Sequence, residues 1–220
     1  MIISQCEALL GDSCLIKRII GMRFMQRRTL LSTLSTVGAV TIVGCIGGGD
    51  EDPQFSTEGN DSELIQSAPE ELILTVEDLP GNRWKQQSSV ANQRIARQVF
   101  RRPTSQDSTE TEGIILSVKK ATEVSTAEER YAKMNPEYLT GQTVEPDESR
   151  ELAIGVESMF YAWQSENQEE TQNLLKMRDA NVFCRLLWVV MGGPEESIPA
   201  DSVTLEQIGT LGVTVHQKWR

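Results

Sequence analysis

The sequence is poor in the residues that most often do chemistry. It holds one histidine, His216, in 220 residues, and no serine or cysteine stands at a recognisable triad spacing from it, so a hydrolytic triad has no support. Near the end of the last expected helix, beside Gln217 and Lys218, His216 reads as a solvated group favoured by the C-terminal dipole. Four cysteines are present: Cys6 and Cys14 lie near the start, Cys45 follows an apolar stretch, and Cys184 stands alone in the run Val182 to Val190. None is left for an intramolecular pair, which excludes a disulfide framework, and Cys184 reads as a small buried hydrophobe. Neither zinc spacing nor a calcium loop appears. Glu145, Asp147 and Glu148, like Glu166, Glu169 and Glu170, read as solvated acidic loops. There is no glycine-rich phosphate loop either: Gly47 to Gly49 precede the domain and Gly192-Gly193 leads into a proline turn. The expectation is a non-enzyme without cofactor or metal.

Bases are also scarce. Lys and Arg number 21 against 32 acids, with a pI near 4.7. Residues 1–44 hold five bases and two acids, so the remainder carries 16 bases, 30 acids and a net charge of −14. Such a charge repels a phosphate backbone or an anionic lipid face within a Debye length, which argues against nucleic acid as a partner. Dense acidic surface stays hydrated in strong salt, where self-repulsion is screened, and so points to a halophilic source.

The one long apolar stretch, Leu30 to Val43, is shorter than the roughly 20 residues of a spanning helix, and Ser32, Thr33, Ser35, Thr36, Gly38 and Thr41 dilute it. A permanent transmembrane anchor is the weaker alternative to a cleaved export signal. Arg27-Arg28, followed after one residue by Leu30-Leu31, resembles a twin-arginine signal. Ile42-Val43-Gly44-Cys45 resembles the lipobox of bacterial and archaeal lipoproteins, which implies that Cys45 is lipidated and becomes the mature N-terminus. Residues 25–44 are therefore expected to be the signal. Residues 1–24 fit poorly as its beginning, so Met25 or Met22 is the expected start. Residues 45–66, rich in Gly, acids and polar groups, are expected to form a disordered tether, whose Cys-x-Gly-Gly-Gly-Asp opening resembles haloarchaeal lipoproteins. Within it Asn60-Asp61-Ser62 is a candidate glycosylation sequon at Asn60.

Residues 67–220 read as one domain. Ser67 and Thr75 offer N-caps for short helical turns, with Pro80-Gly81 as a stop. Strands are expected at 83–90, 95–101, 113–120, 151–154, 159–163, 173–178 and 182–190. The last is apolar at nearly every position, as a strand covered on both faces would be. One helix is expected from a Thr126 cap to about Asn135. A second opens at Ser202, with Leu205, Ile208, Leu211, Val215 and Trp219 forming an apolar stripe. Trp84, Trp163, Trp188 and Phe160 read as core more readily than as a ligand groove.

This order predicts an α+β domain, an antiparallel sheet with helices packed mainly on one face. The segments Leu74 to Gly81 with Trp84, Thr126 to Tyr131, Ile154 to Phe160 and Val182 to Val190 resemble small extracytoplasmic domains of the PsbP and mycobacterial LpqN or PknH-sensor type. That resemblance implies a layered PsbP-like sandwich that binds or scaffolds. The expected molecule is a haloarchaeal lipoprotein at the extracytoplasmic face of the cell membrane. Membrane lipid would hold it through Cys45, and its partner would be an envelope protein or a small-molecule ligand. A structural envelope component, or an enzyme with an unfamiliar site, is the alternative.

Overall fold

The computed structural model describes residues 55–104, 110–135, 145–165, 168–192 and 198–220. Eight strands make one sheet: β1 (Ser56–Glu58), β2 (Lys85–Ala91), β3 (Ile95–Pro103), β4 (Thr111–Lys120), β5 (Glu148–Gly155), β6 (Glu157–Gln164), β7 (Glu170–Asp179) and β8 (Val182–Met191). Their spatial order is β1-β5-β6-β7-β8-β4-β3-β2. Every neighbouring pair is antiparallel except β1 with β5, so the sheet is mixed. Two α-helices are described, α1 (Val124–Ala132) and α2 (Leu205–Gln217), with 3-10 turns at Pro69–Glu71 and Val76–Asp78.

The apolar run of β8, interrupted only by Arg185, follows from its place between β7 and β4. Because side chains alternate across a strand, Val182, Cys184, Leu186, Trp188 and Val190 enter one cluster, while Leu187 joins a second and Phe183 a third. The first cluster is the main core. It gathers Phe100, Ile114, Leu116, Phe160 and Leu175 from the sheet, Ile208, Leu211 and Val215 from α2, and Leu72, Leu74, Leu79 and Trp84 from the segment before β2. The opposite face carries Val99, Ile115, Trp163, Leu174 and Leu187 together, and separately Phe183 under Ala127 and Tyr131 of α1.

This arrangement corrects the α+β, PsbP-like expectation. The sheet dominates, and the two helices, of nine and thirteen residues, sit on opposite faces instead of layering one. The reason is geometric. Eight strands at about 4.8 Å spacing span roughly 34 Å, and a helix about 10 Å across covers two or three of them. The rest of the main core is closed by the irregular stretch from Ile65 to Trp84 and by Ile198 and Val203.

The tether expectation is also corrected for residues 55–66. Ser56 to Glu58 pair with Ala153 to Gly155, Thr57 Oγ1 accepts from the Gly155 N–H at 2.9 Å, and Ile65 is buried. Three capping expectations move as well. The first turn follows Ala68 instead of Ser67. The residue before α1 is Glu123, so Thr126 lies inside the helix. Thr204 caps α2, its hydroxyl accepting from Gln207 N while Gln207 Oε1 accepts from Thr204 N. Gly212, which weakens the helix pattern in sequence, is the close approach of α2 to the sheet: a Cβ there would lie 2.3 Å from Leu175 Cδ2.

Candidate functional site

One pole of the sheet gathers the β7–β8 turn, the end of β4, the start of β3 and one side of α1. A cleft of about 450 Å³ opens there, lined by Leu64, Gln66, Gln93, Arg94, Lys120, Ala121, Thr122, Thr126, Arg130 and Asn181. Among the described residues three cations and no carboxylate line it, in a chain whose acids outnumber its bases by 32 to 21. Lys120 closes β4 and is fixed, because Nζ donates to the carbonyls of Gln66 at 2.6 Å and Ser67 at 2.9 Å. Arg94 stands in the β2–β3 turn, where Asn92 Oδ1 accepts from the N–H groups of Arg94 and Ile95. Arg130 lies on the exposed side of α1. Among the described residues the guanidinium groups of Arg94 and Arg130 make no hydrogen bond or ion pair.

The floor is Asn181, whose side chain is fully engaged in structure. Its oxygen accepts from Ile65 N at 2.9 Å and its amide donates to Ala121 O at 3.0 Å and Ile65 O at 3.4 Å. One side chain thus ties the β7–β8 turn to the segment before β2 and to the end of β4, which holds the cleft walls at a set distance.

Beside the cleft, on the same turn, lies a buried ionic cluster. Asp179, with no exposed surface, accepts from His216 Nε2 at 2.8 Å, from Arg220 Nε at 2.8 Å and Nη2 at 2.7 Å, and from Asn60 N at 2.8 Å. Burial opposes ionisation of this carboxyl, but the hydrogen bonds from His216, Arg220 and Asn60 outweigh it and hold its pKa well below the usual carboxylate range. Next to it, buried Arg178 grips Asp61 through both terminal nitrogens, at 2.6 and 3.0 Å, and donates to Glu157 at 3.2 Å. The expectation of a solvated His216 is therefore corrected: it is 2 % exposed, because α2 ends over the β7–β8 turn with its final residues aimed at Asp179. No nucleophilic side chain contacts this histidine among the described residues, and the cluster acts as a fastener of residues 60–61 and 216–220.

The remaining sequence-marked residues fall as follows. Trp84, Trp163, Trp188 and Phe160 are all buried, with Trp84 and Trp188 edge to face at 6.1 Å, so they are core. Cys184 is buried and its thiol pKa is pushed up by burial. Asn60 is exposed, with its side-chain oxygen accepting from Ser62 N and Oγ. Among the described residues no group of three His, Cys, Asp or Glu is placed to hold a metal. Asp147 instead accepts from Gln164 N at 2.9 Å. Cys45, Arg27, Arg28 and Glu166 lie outside the described residues.

Sequence reasoning missed the cleft. Arg94, Lys120 and Arg130 lie in three separate elements, and no local spacing joins them. The only signal was their scarcity, since each base in so acidic a chain is worth locating. No protein-family model, curated protein or solved structure matches this chain.

Proposed function

We propose that the chain is a lipid-anchored extracytoplasmic binding domain of a haloarchaeal envelope, without catalytic activity, and that its ligand is a small anion held in the basic cleft. The observation that carries this reading is the cleft lining, Arg94, Lys120 and Arg130 with no carboxylate among the described residues. Most of an acidic surface repels anions, so a pocket that concentrates cations selects for them. Among the described residues the guanidinium groups of two of the three, Arg94 and Arg130, make no hydrogen bond or ion pair, and Lys120 keeps one of its three protons uncommitted. In strong salt the long-range field is screened within a few ångströms, so recognition must come from direct contact, for which planar guanidinium forks are well suited.

The anchor rests on the arginine pair, the apolar stretch and Cys45 in their expected order. Two fatty or isoprenoid chains on that sulfur would give stable attachment, at about 0.8 kcal/mol per buried CH₂. Among the described residues no helix is long and apolar enough to cross a membrane.

The test is affinity capture of the full chain from native membranes in high salt, with mass spectrometry of the small molecules recovered. Anionic compounds enriched on the wild type and absent from an Arg94→Gln/Arg130→Gln variant are expected. Identical recovery on both would sink the reading. Cys45→Ser in turn is expected to free the protein from membranes or leave its signal uncleaved, and a cleaved yet membrane-bound form would rule out lipid attachment there.

A further inference from the structure

We infer that the group recognised in the cleft is a phosphoryl group, borne by a phosphate ester; this rests on the anion-binding reading above and narrows it. The donor set sets the class. The residues lining the cavity carry two guanidinium groups, each a planar array of N–H donors, the remaining ammonium proton of Lys120 and the hydroxyls of Thr122 and Thr126. A carboxylate offers two oxygens, so two guanidinium forks and an ammonium proton would have to share them, as the donors around Asp179 share its two. A phosphoryl group offers three oxygens spread over a tetrahedron, enough for a fork from Arg94, a fork from Arg130 and a bond from Lys120 at once.

A second feature of the pole points the same way. Thr126 and Arg130 stand four residues apart in α1, about one helical turn, and both line the cavity, so one side of a single helix offers a hydroxyl and a guanidinium group together. The lining also has an apolar part, Leu64 and Ala121, against which the carbon skeleton of an ester would rest. The ester is either a soluble sugar or polyol phosphate or the headgroup of a phospholipid, and both present the same chemistry to these donors.

Calorimetry on the full chain in detergent would test this with inorganic phosphate, glycerol phosphate, succinate and sulfate as probes, and a further titration with a short-chain, water-soluble phosphatidylglycerol would separate a lipid source from a soluble one. Saturable binding of inorganic phosphate and glycerol phosphate is expected, weakened about ten- to a hundredfold by Arg94→Gln or Arg130→Gln, the scale of one charge-assisted contact. Neither substitution touches a contact that supports the fold, so the thermal midpoint should hold; Lys120→Met, which removes two carbonyl contacts, serves as a separate variant judged only where its midpoint is retained. Binding of the short-chain phosphatidylglycerol more tightly than glycerol phosphate, lost in the arginine variants, would assign the ester to lipid, and binding of glycerol phosphate alone to a soluble compound. Succinate or sulfate binding more tightly than phosphate would overturn the phosphoryl assignment while leaving an anion cleft in place. If none of the four anions binds, or if binding is indifferent to both arginines, the cleft reading itself falls.

Discussion

The Asp179 cluster gives the sharpest stability test. Asp179→Ala removes a fully buried carboxylate that receives four hydrogen bonds, from His216, from two nitrogens of Arg220 and from the Asn60 backbone. Breaking a buried ionic partnership from one side costs roughly 3–5 kcal/mol, because the groups left behind stay desolvated without an acceptor. His216 is 2 % exposed and bears most of that cost, whereas Arg220, about a third exposed on its side chain, can turn to water. For a domain of this size the loss corresponds to a fall of roughly 6–20 °C in thermal midpoint. Asp179→Asn keeps the shape and one acceptor but sets an amide N–H against a donor, so most of the loss should remain. The pKa of Asp179 is depressed in the folded state, which fixes the sign of the pH effect. The contribution is complete above the unfolded carboxyl value of about 3.9 and drains away as pH falls below it toward the lower folded value. Urea melts at neutral and acidic pH should therefore show the wild-type advantage over Asp179→Asn shrinking only in the acid range. Repeating them in about 1 M salt, where the Debye length is near 3 Å, should leave the neutral-pH gap almost unchanged, since the bonds are buried. A gap below about 1 kcal/mol at neutral pH, or one that salt erases, would refute the cluster as a structural fastener.

Two further expectations concern single positions. Gly155 has φ +69°, and a Cβ there would lie 2.7 Å from the Arg178 carbonyl oxygen, so Gly155→Ala should lower stability by more than about 1 kcal/mol; an unchanged urea midpoint would contradict that geometry. Cys184 is buried with its thiol pKa pushed up, so its peptide should stay unlabelled by a thiol reagent in the native chain and label readily in urea, and fast native labelling would show that the main core opens there.

Strands were legible where burial writes a period into the sequence. Ile114, Leu116 and Val118 announce one inward face of β4, and β8 announces two. The 3-10 turns and both helices lie within a few residues of their expected places, because apolar stripes and turn signals are local, although Ser67, Thr126 and Ser202 are not the residues that begin them. What each helix covers was not local. The stripes of α1 and α2 say that each has an apolar side; only the register of β8, which sends Phe183 one way and Cys184 the other, decides that the two helices take opposite faces. β1 left no signal at all. Ser56-Thr57-Glu58 carries no apolar residue, and its place is set by Thr57 on Gly155, Asn60 on Asp179 and Asp61 on Arg178.

The same long-range logic joins the two features of the pole. The β7–β8 hairpin turns at Ala180-Asn181, between the paired residues Asp179 and Val182. Asp179 takes the backbone of Asn60, and Asn181 takes that of Ile65. Between them they fix a segment whose carbonyl at Gln66 then holds Lys120 in the cleft. Residues 60–66, which composition marks as tether, are thus one wall of the candidate site. Polar, acidic composition marks a segment as unable to order itself. It does not register two buried acceptors elsewhere in the fold that bind its backbone and leave it ordered with few apolar contacts of its own.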